Sequence, residues 1–225
     1  MNEKNSITHE DAKLDERKRE ILESAKKIFA RNGFRRTQVE MIADELGIGK
    51  GTVYRHFGSK KSLFVAVANY SMQKLVEHIE FRIDYNEALP ERMATAIAAH
   101  LEFFDANPDV VEILLQERTE FREEFRPTYV IYRDAYMGHT EEVIRGGIKE
   151  GILRDVKDVK GMAVILADII YGSVMSGYMR GEKHLVDSAG LLAQMIMCGM
   201  LSPEAQEGVI EKDLPNSNIL KEKNC

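Results

Sequence analysis

Apolar positions recur at spacings of three and four along almost the whole chain, and the alternation of a half-buried strand is nearly absent. Ile21, Ala25, Ile28 and Phe29 fall on one face of a first helix, with Glu23, Lys26 and Lys27 opposite. Gly33 stops that helix in the position of a C-terminal glycine cap. In "TQVEMIADELG", Val39, Ile42 and Ala43 supply the next apolar face. There Thr37 and Glu40 read as a Thr-x-x-Glu capping box, and Gly47 ends the helix after Leu46. A short helix from about Gly49 to His56 follows, and Ser59 caps a long one containing Leu63, Phe64, Val67 and Tyr70. Pro90, Pro108 and Pro127 each sit where a new helix would begin, and Glu150–Gly151 closes another. The last two helices are predicted at Asp158–Gly181 and His184–Leu201, with Pro203 at the exit. The pattern predicts an all-α fold.

"MAVILADIIYGSVMSGYM", Met162–Met179, is 18 residues with a single charge, long enough to be weighed as a membrane span. A charge at Asp168 would then sit near the bilayer centre, at about 2.5–3.5 kcal/mol. Gly172, Ser173, Ser176 and Gly177 add little hydrophobicity but let another helix approach closely. The second apolar segment, "LLAQMIMCGML", is too short to span. The expectation is therefore a buried bundle or subunit interface and no membrane.

Composition adds a division of labour. At 225 residues, 44% hydrophobic and 30% charged, the chain has the profile of a soluble globular protein of one large or two smaller domains. The net charge is −6, yet Arg17 to Lys61 carries twelve Lys/Arg against five Asp/Glu, a net of +7. The remainder carries 19 basic against 32 acidic residues. A basic segment on an acidic body implies two parts with different partners, although such a block alone is more often a solvated face. Cys198 and Cys225 form neither a disulfide framework nor a metal-ligand spacing, which suits a reducing cytoplasm. The polar, acid-containing N-terminus reads as neither signal nor transit peptide. Residues 1–14 and 203–225 read as a mobile polar arm and tail.

"GIGKGTVYRHFG", residues 47–58, poses the question of a phosphate. A nucleotide-binding P-loop would need a glycine where Asp44 stands and a Ser or Thr where Gly51 stands; the dinucleotide fingerprint fails at Thr52. Two short helices joined by the tight turn "ELGIGKG" instead make a helix-turn-helix, Gln38–Phe57, whose second helix enters a major groove N-terminus first. Gly47 permits the left-handed turn residue, and Gly49 and Gly51 keep the helix start slim against DNA. Lys50 and Thr52 are placed to reach base edges, and Tyr54, His56 and Lys60 to bind phosphate along the rim. Thr37 adds a helix end that favours an anion. Val53 and Phe57 face inward. Taken singly, Tyr54, His56 and Lys60 also have plain readings as core or surface residues; the combination is harder to dismiss.

"REILESAKKIFARNGFRRTQVEMIADELGIGKGTVYRHFGSKKSLF" resembles the N-terminal domain of the tetracycline-repressor (TetR) family of bacterial transcription regulators, over about residues 15–75. The resemblance implies that Thr37, Lys50, Gly51, Thr52, Tyr54, His56 and Lys60 touch operator DNA, with Arg36 as a further contact. It also implies an all-helical C-terminal domain, 76–202, that senses a small-molecule effector and forms a homodimer through its last two helices. That agrees with the apolar segments Asp158–Gly181 and His184–Leu201, which would pair into a four-helix bundle with a second copy.

Within that domain Phe103, Phe104, Tyr129, Tyr132, Tyr136, Met162 and Met175, together with Leu114 and Phe121, are candidate pocket residues, though such stripes are more often plain core. Asp168, His100 and the acidic run "QERTEFREEF" are candidates for its polar part, the run being more often a solvated helix face. The six histidines form no metal-ligand spacing, and no serine or cysteine sits in a nucleophile motif; no enzyme, metal or cofactor is expected. The expected function is a ligand-responsive cytoplasmic repressor. A transcriptional activator and a ligand-independent architectural or adaptor protein are the alternatives.

Overall fold

The computed structural model describes residues 9–124, 126–181 and 184–202, with side chains from residue 16 onward. The expected arm at 1–14 lies largely outside the described residues, and the tail at 203–225, with Cys225, wholly outside them. Nine α-helices are described, α1 (His9–Asn32), α2 (Val39–Glu45), α3 (Lys50–Phe57), α4 (Lys60–Arg82), α5 (Leu89–Ala106), α6 (Pro108–Glu120), α7 (Thr128–Lys149), α8 (Val159–Met179) and α9 (Ala189–Met200). Among the described residues the only extended pairing is an isolated bridge between Leu153 and Leu201.

These helices divide into two compact units. The first comprises the chain up to Met72 together with Glu112–Thr128, and the second comprises Gln73–Val111 and the chain from Tyr129 onward. Residues of α4 and α6 therefore fall in both units, and the first is discontinuous in sequence.

The core of the first unit gathers Ile21, Ala25 and Phe29 of α1, Ile42 of α2, Val53 of α3 and Phe64 of α4, with Ile113 and Phe121. Four of its aromatic rings interlock. Phe29 meets Phe64 edge-on at 5.1 Å, and Phe34 meets Phe64 at 5.3 Å and Phe121 at 4.8 Å. Each such pair contributes about 0.5–1.5 kcal/mol beyond its buried area. Phe121, counted among the candidate pocket residues, is thus a core residue of this unit, and Leu114 also belongs to it. Their sequence position, midway along the chain, hid that placement.

The capping box of α2 is not formed by Thr37. The N-terminal capping residue is Gln38, and the Thr37 hydroxyl instead donates to the Gly33 carbonyl at 2.8 Å, at the end of α1. Thr37 is 1% exposed, and its backbone N–H donates to the same Gly33 carbonyl at 3.2 Å, so the residue is tied to the turn after α1.

In the second unit the core runs through Ile97 of α5, Ile144 of α7, Ala163 and Ile170 of α8 and Ile196 and Met200 of α9. The last helix is shorter than expected. A 3-10 turn at Leu185–Ser188 precedes α9, because the Asp105 carboxylate accepts from the backbone N–H of Leu185 at 2.7 Å and of Val186 at 2.8 Å. That fixes the segment as a tight turn before the α-helix starts.

Among the described residues one helix, α8, is long and apolar enough by length and composition to cross a membrane. Its apolar residues divide between two faces. Val159, Ala163, Ile170, Val174 and Met175 are buried, whereas Ile165, Ile169 and Met179 are exposed at 60%, 43% and 69%. On α9 Leu191 and Met195 are likewise exposed.

Candidate nucleic-acid interface

Helices α2 and α3 are joined by a tight turn in which Gly47 adopts φ +63°, a left-handed conformation that disfavours any side chain. The Ile48 N–H donates to the Ala43 carbonyl at 3.0 Å and closes the turn. Val53, buried against the unit's core, fixes the rotation of α3 about its axis. That rotation leaves Lys50, Gly51, Tyr54 and Arg55 exposed, with Thr52 and His56 half-buried beside them.

The expected contact residues occupy three kinds of position. Lys50, Gly51, Thr52, Tyr54 and His56 all lie on α3 itself. At Gly51 an added Cβ would meet no atom of the chain within 4 Å, so nothing inside the protein demands a glycine there. Lys50 is ion-paired with Glu40 of α2, Nζ to Oε1, at 2.5 Å. That hydrogen bond, with the Coulombic attraction, raises the pKa of Lys50 and lowers that of Glu40, so both stay charged. His56 is held below its ordinary value first by loss of solvent and then by Arg55, Lys18 and Arg17, which keeps it neutral at pH 7.

Arg36 lies just before α2, exposed, with its Nε donating to the Asn32 carbonyl at 2.9 Å. Thr37 and Lys60 fasten the same loop. The Lys60 ammonium donates to the carbonyls of Phe34, Arg35 and Thr37 at 2.9, 3.3 and 2.9 Å, and lies 4.5 Å from the centre of the Phe34 ring. All three ammonium donors are thus occupied by the chain.

Several charged groups here were not singled out from the sequence. Glu40 was read only as part of a cap, and no periodicity links it to Lys50 ten positions on. Arg17, Lys18 and Arg55 appeared only within the regional charge count. In the acidic run Arg118, Thr119, Arg122, Glu123 and Glu124 are exposed, as on a solvated face, but Glu120 pairs with Arg35 at 2.8 Å, Glu124 pairs with Lys61, and buried Glu117 accepts from the Thr128 N–H at 3.0 Å and from its hydroxyl. Loss of solvent raises the Glu117 pKa, against the pull of those two bonds. Phe125 of that run lies outside the described residues.

In the second unit the candidate pocket residues form separate groups. Phe103 and Phe104 are buried and meet edge-on at 5.4 Å. Tyr129 stacks on Tyr171 at 3.7 Å, and its hydroxyl donates to the Ala167 carbonyl at 3.1 Å. Asp168, the candidate for the polar part of the pocket, is 56% exposed at its side chain and accepts from Arg133 at 2.8 Å. Met175 is buried, Met162 and Tyr132 are half-buried, and Tyr136 is exposed. His100 carries a ring Nε2 out of solvent and without a hydrogen-bond partner. The residue as a whole keeps some exposure, but the buried ring nitrogen is the group that titrates, and burial lowers the pKa to about 4.

A glycine-turned pair of short helices, presenting an exposed lysine, tyrosine and arginine from a basic segment, defines a helix-turn-helix DNA-binding protein. Comparison with known proteins agrees and is more specific. Residues 21–67 match the profile of bacterial regulatory proteins of the tetR family, and residues 86–175 match that of the tetracyclin repressor-like C-terminal domain. The chain belongs to the TetR family and is a DNA-binding transcriptional regulator.

Among its relatives is the HTH-type transcriptional repressor KstR2 of Rhodococcus jostii, 29% identical over 197 residues that cover 83% of this chain and 92% of the relative. A putative transcriptional regulator from Saccharomonospora viridis, solved in complex with choline, is 25% identical at a TM-score of 0.72, covering 84% of this chain and 99% of that one. The regulator FadR from Bacillus subtilis, solved in complex with stearoyl-CoA, shares the fold at a TM-score of 0.69 and 20% identity, over 80% of this chain and 98% of that one.

Proposed function

We propose that the chain acts in the cytoplasm as a homodimer that occupies a near-palindromic operator and leaves it when an effector binds. The observation that carries the dimer is the exposed apolar seam. On α8, Ile165, Ile169, Gly172, Ser176 and Met179 follow one another at spacings of four and three, and on α9, Leu191 and Met195 continue the pattern. Helices with such stripes bury them against one another, and two copies supply a four-helix bundle. Two α3 helices would then enter successive major grooves about 34–36 Å apart.

In this reading Lys50, Gly51, Thr52, Tyr54 and His56 meet the DNA directly, with Arg36 at the flank. Thr37 and Lys60 serve by holding the loop that carries Arg36. The effector is bound in the second unit, with Phe103 and Phe104 as one group of candidate contacts and Tyr129, Tyr132, Tyr136, Met162, Asp168 and Met175 as the others. Aromatic and thioether side chains suit a ligand with an extended apolar part. The stearoyl-CoA held by the structural neighbour makes a long-chain acyl-CoA the first compound to test, and choline the second. Footprinting on DNA flanking the chain's own gene, with and without each compound, tests the whole reading. A protected near-palindrome that one of them releases supports it. Protection that neither these nor cell extract relieves would overturn the effector part.

A further inference from the structure

Lys50 and Glu40 are the one close cation–carboxylate pair that joins α2 to α3 among the described ion pairs, and both members are about half-exposed, at 56% and 46%. The pair stands at the first residue of α3, the end that the docking geometry directs at base edges. Its ammonium has three donors, of which Glu40 takes one; its carboxylate has accepting capacity left after Lys50 is served. Donor and acceptor therefore sit side by side, on two different helices, in a spacing set by packing of the helix-turn-helix.

The major-groove edge of a G·C pair presents two acceptors on guanine, N7 and O6, next to a donor on cytosine, the N4 amino group. An ammonium beside a carboxylate is the complement of that edge. A phosphate offers acceptors only, and a carboxylate repels it. Glu40 thus has two effects on Lys50. It holds the ammonium back from the DNA backbone, where it would bind any sequence, and it supplies the acceptor that cytosine requires.

We infer that the Lys50–Glu40 pair reads one G·C base pair in each operator half-site, with Glu40 as a specificity-determining residue. The inference rests on α3 being the DNA-contacting helix. Glu40 was not among the expected contacts, because its side chain reaches the site from α2.

The test is selection of binding sequences from a randomised DNA pool with the full-length chain, Glu40→Ala, Glu40→Asp and Lys50→Ala. The wild-type motif is expected to contain one G·C position per half-site that becomes degenerate in both Glu40→Ala and Lys50→Ala, and that Glu40→Asp retains. On non-operator DNA, Glu40→Ala is expected to bind more tightly at low salt, because the released ammonium turns to phosphate. Its log–log salt dependence should steepen by about 0.9 for each protomer engaged, the increment for one more neutralised phosphate. Equal melting temperatures separate this from a loss of folding. A Glu40→Ala motif unchanged from wild type at every position would overturn the inference while leaving the DNA-contacting helix in place. Failure of the wild-type chain to enrich any sequence would overturn both.

Discussion

Arg35 and Glu120 lie 85 positions apart in the sequence, yet the arginine Nε donates to both carboxylate oxygens of the glutamate, at 3.0 and 2.8 Å. Lys61 and Glu124 form a second pair nearby in sequence terms, and Gln116 donates to the Phe29 carbonyl at 3.0 Å. The C-terminal half of α6 is thereby fastened to α1 and the loop after it, and the turn following α6 to the start of α4, within the unit that carries the recognition helix.

Both α4 and α6 contribute residues to both units, so an effector-driven change can reach the first unit through either. Replacing Arg35 and Lys61 together by Gln is expected to leave melting almost unchanged, because solvent-exposed ion pairs contribute little to stability. Operator affinity should also hold. The effector concentration for half-release should rise roughly fivefold or more, the lower end of ordinary coupling between sites. Fluorescence anisotropy on labelled operator, titrated with effector, reads both quantities; an unaltered release curve would show that these pairs transmit nothing.

Lys60 carries a different burden. Its ammonium satisfies three loop carbonyls that Lys60→Met would leave short of donors, and the loss of such partly buried bonds costs about 1–3 kcal/mol. Thermal melting followed by circular dichroism should show a clear drop. Binding should weaken alike for operator and unrelated DNA, because the loop bearing Arg36 loosens without any change at base-reading side chains. A drop in operator binding alone, with unchanged melting, would instead assign Lys60 to base recognition.

Much of this was legible in the chain. The three-and-four spacing gave the helices, and glycine at 47 marked the turn, because both signals are local. Where the pattern misled, a turn or tertiary contact decided. Thr37 has the sequence position of a cap, but its hydroxyl turns back to the Gly33 carbonyl. Phe121 reads as pocket lining by its place in the chain, yet it packs on Phe34 and Phe64. Asp168, in an apolar run, looks buried until the helix is turned and Arg133 meets it at an exposed edge. Glu40 had a local explanation that hid its pairing with Lys50. In the last three cases the chemistry depends on residues tens of positions away or on another helix, which periodicity does not encode.

His100 makes stability depend on acidity. Burial lowers its pKa to about 4, against an ordinary 6.5, so the folded chain resists a proton that the unfolded chain accepts. Between those two values the unfolded state binds more protons, and stability falls as pH drops from about 6.5 toward 4. The full shift corresponds to about 3 kcal/mol. Urea unfolding of wild type and His100→Gln across this window should show a steeper acid loss in the wild type. Parallel curves would mean that the imidazole is hydrated in solution.

The exposed seam on α8 and α9 yields the last expectation. Ile169 sits at its middle, flanked by Ile165 and Gly172, and is exposed in a single copy. Placing a carboxylate there with Ile169→Glu sets two like charges close to a two-fold axis, in an environment that excludes water when the copies meet. The helices themselves have no reason to melt, because the residue faces away from the buried side that Ala163, Ile170 and Val174 form. Sedimentation should therefore give a folded monomer. Operator affinity should fall by about two orders of magnitude, since two half-sites engaged through one dimer bind far more tightly than either alone. A single half-site, offered as a short duplex at low salt, should be bound by Ile169→Glu as well as by one arm of the wild type. Retention of the dimer by Ile169→Glu would place the subunit contact on another face.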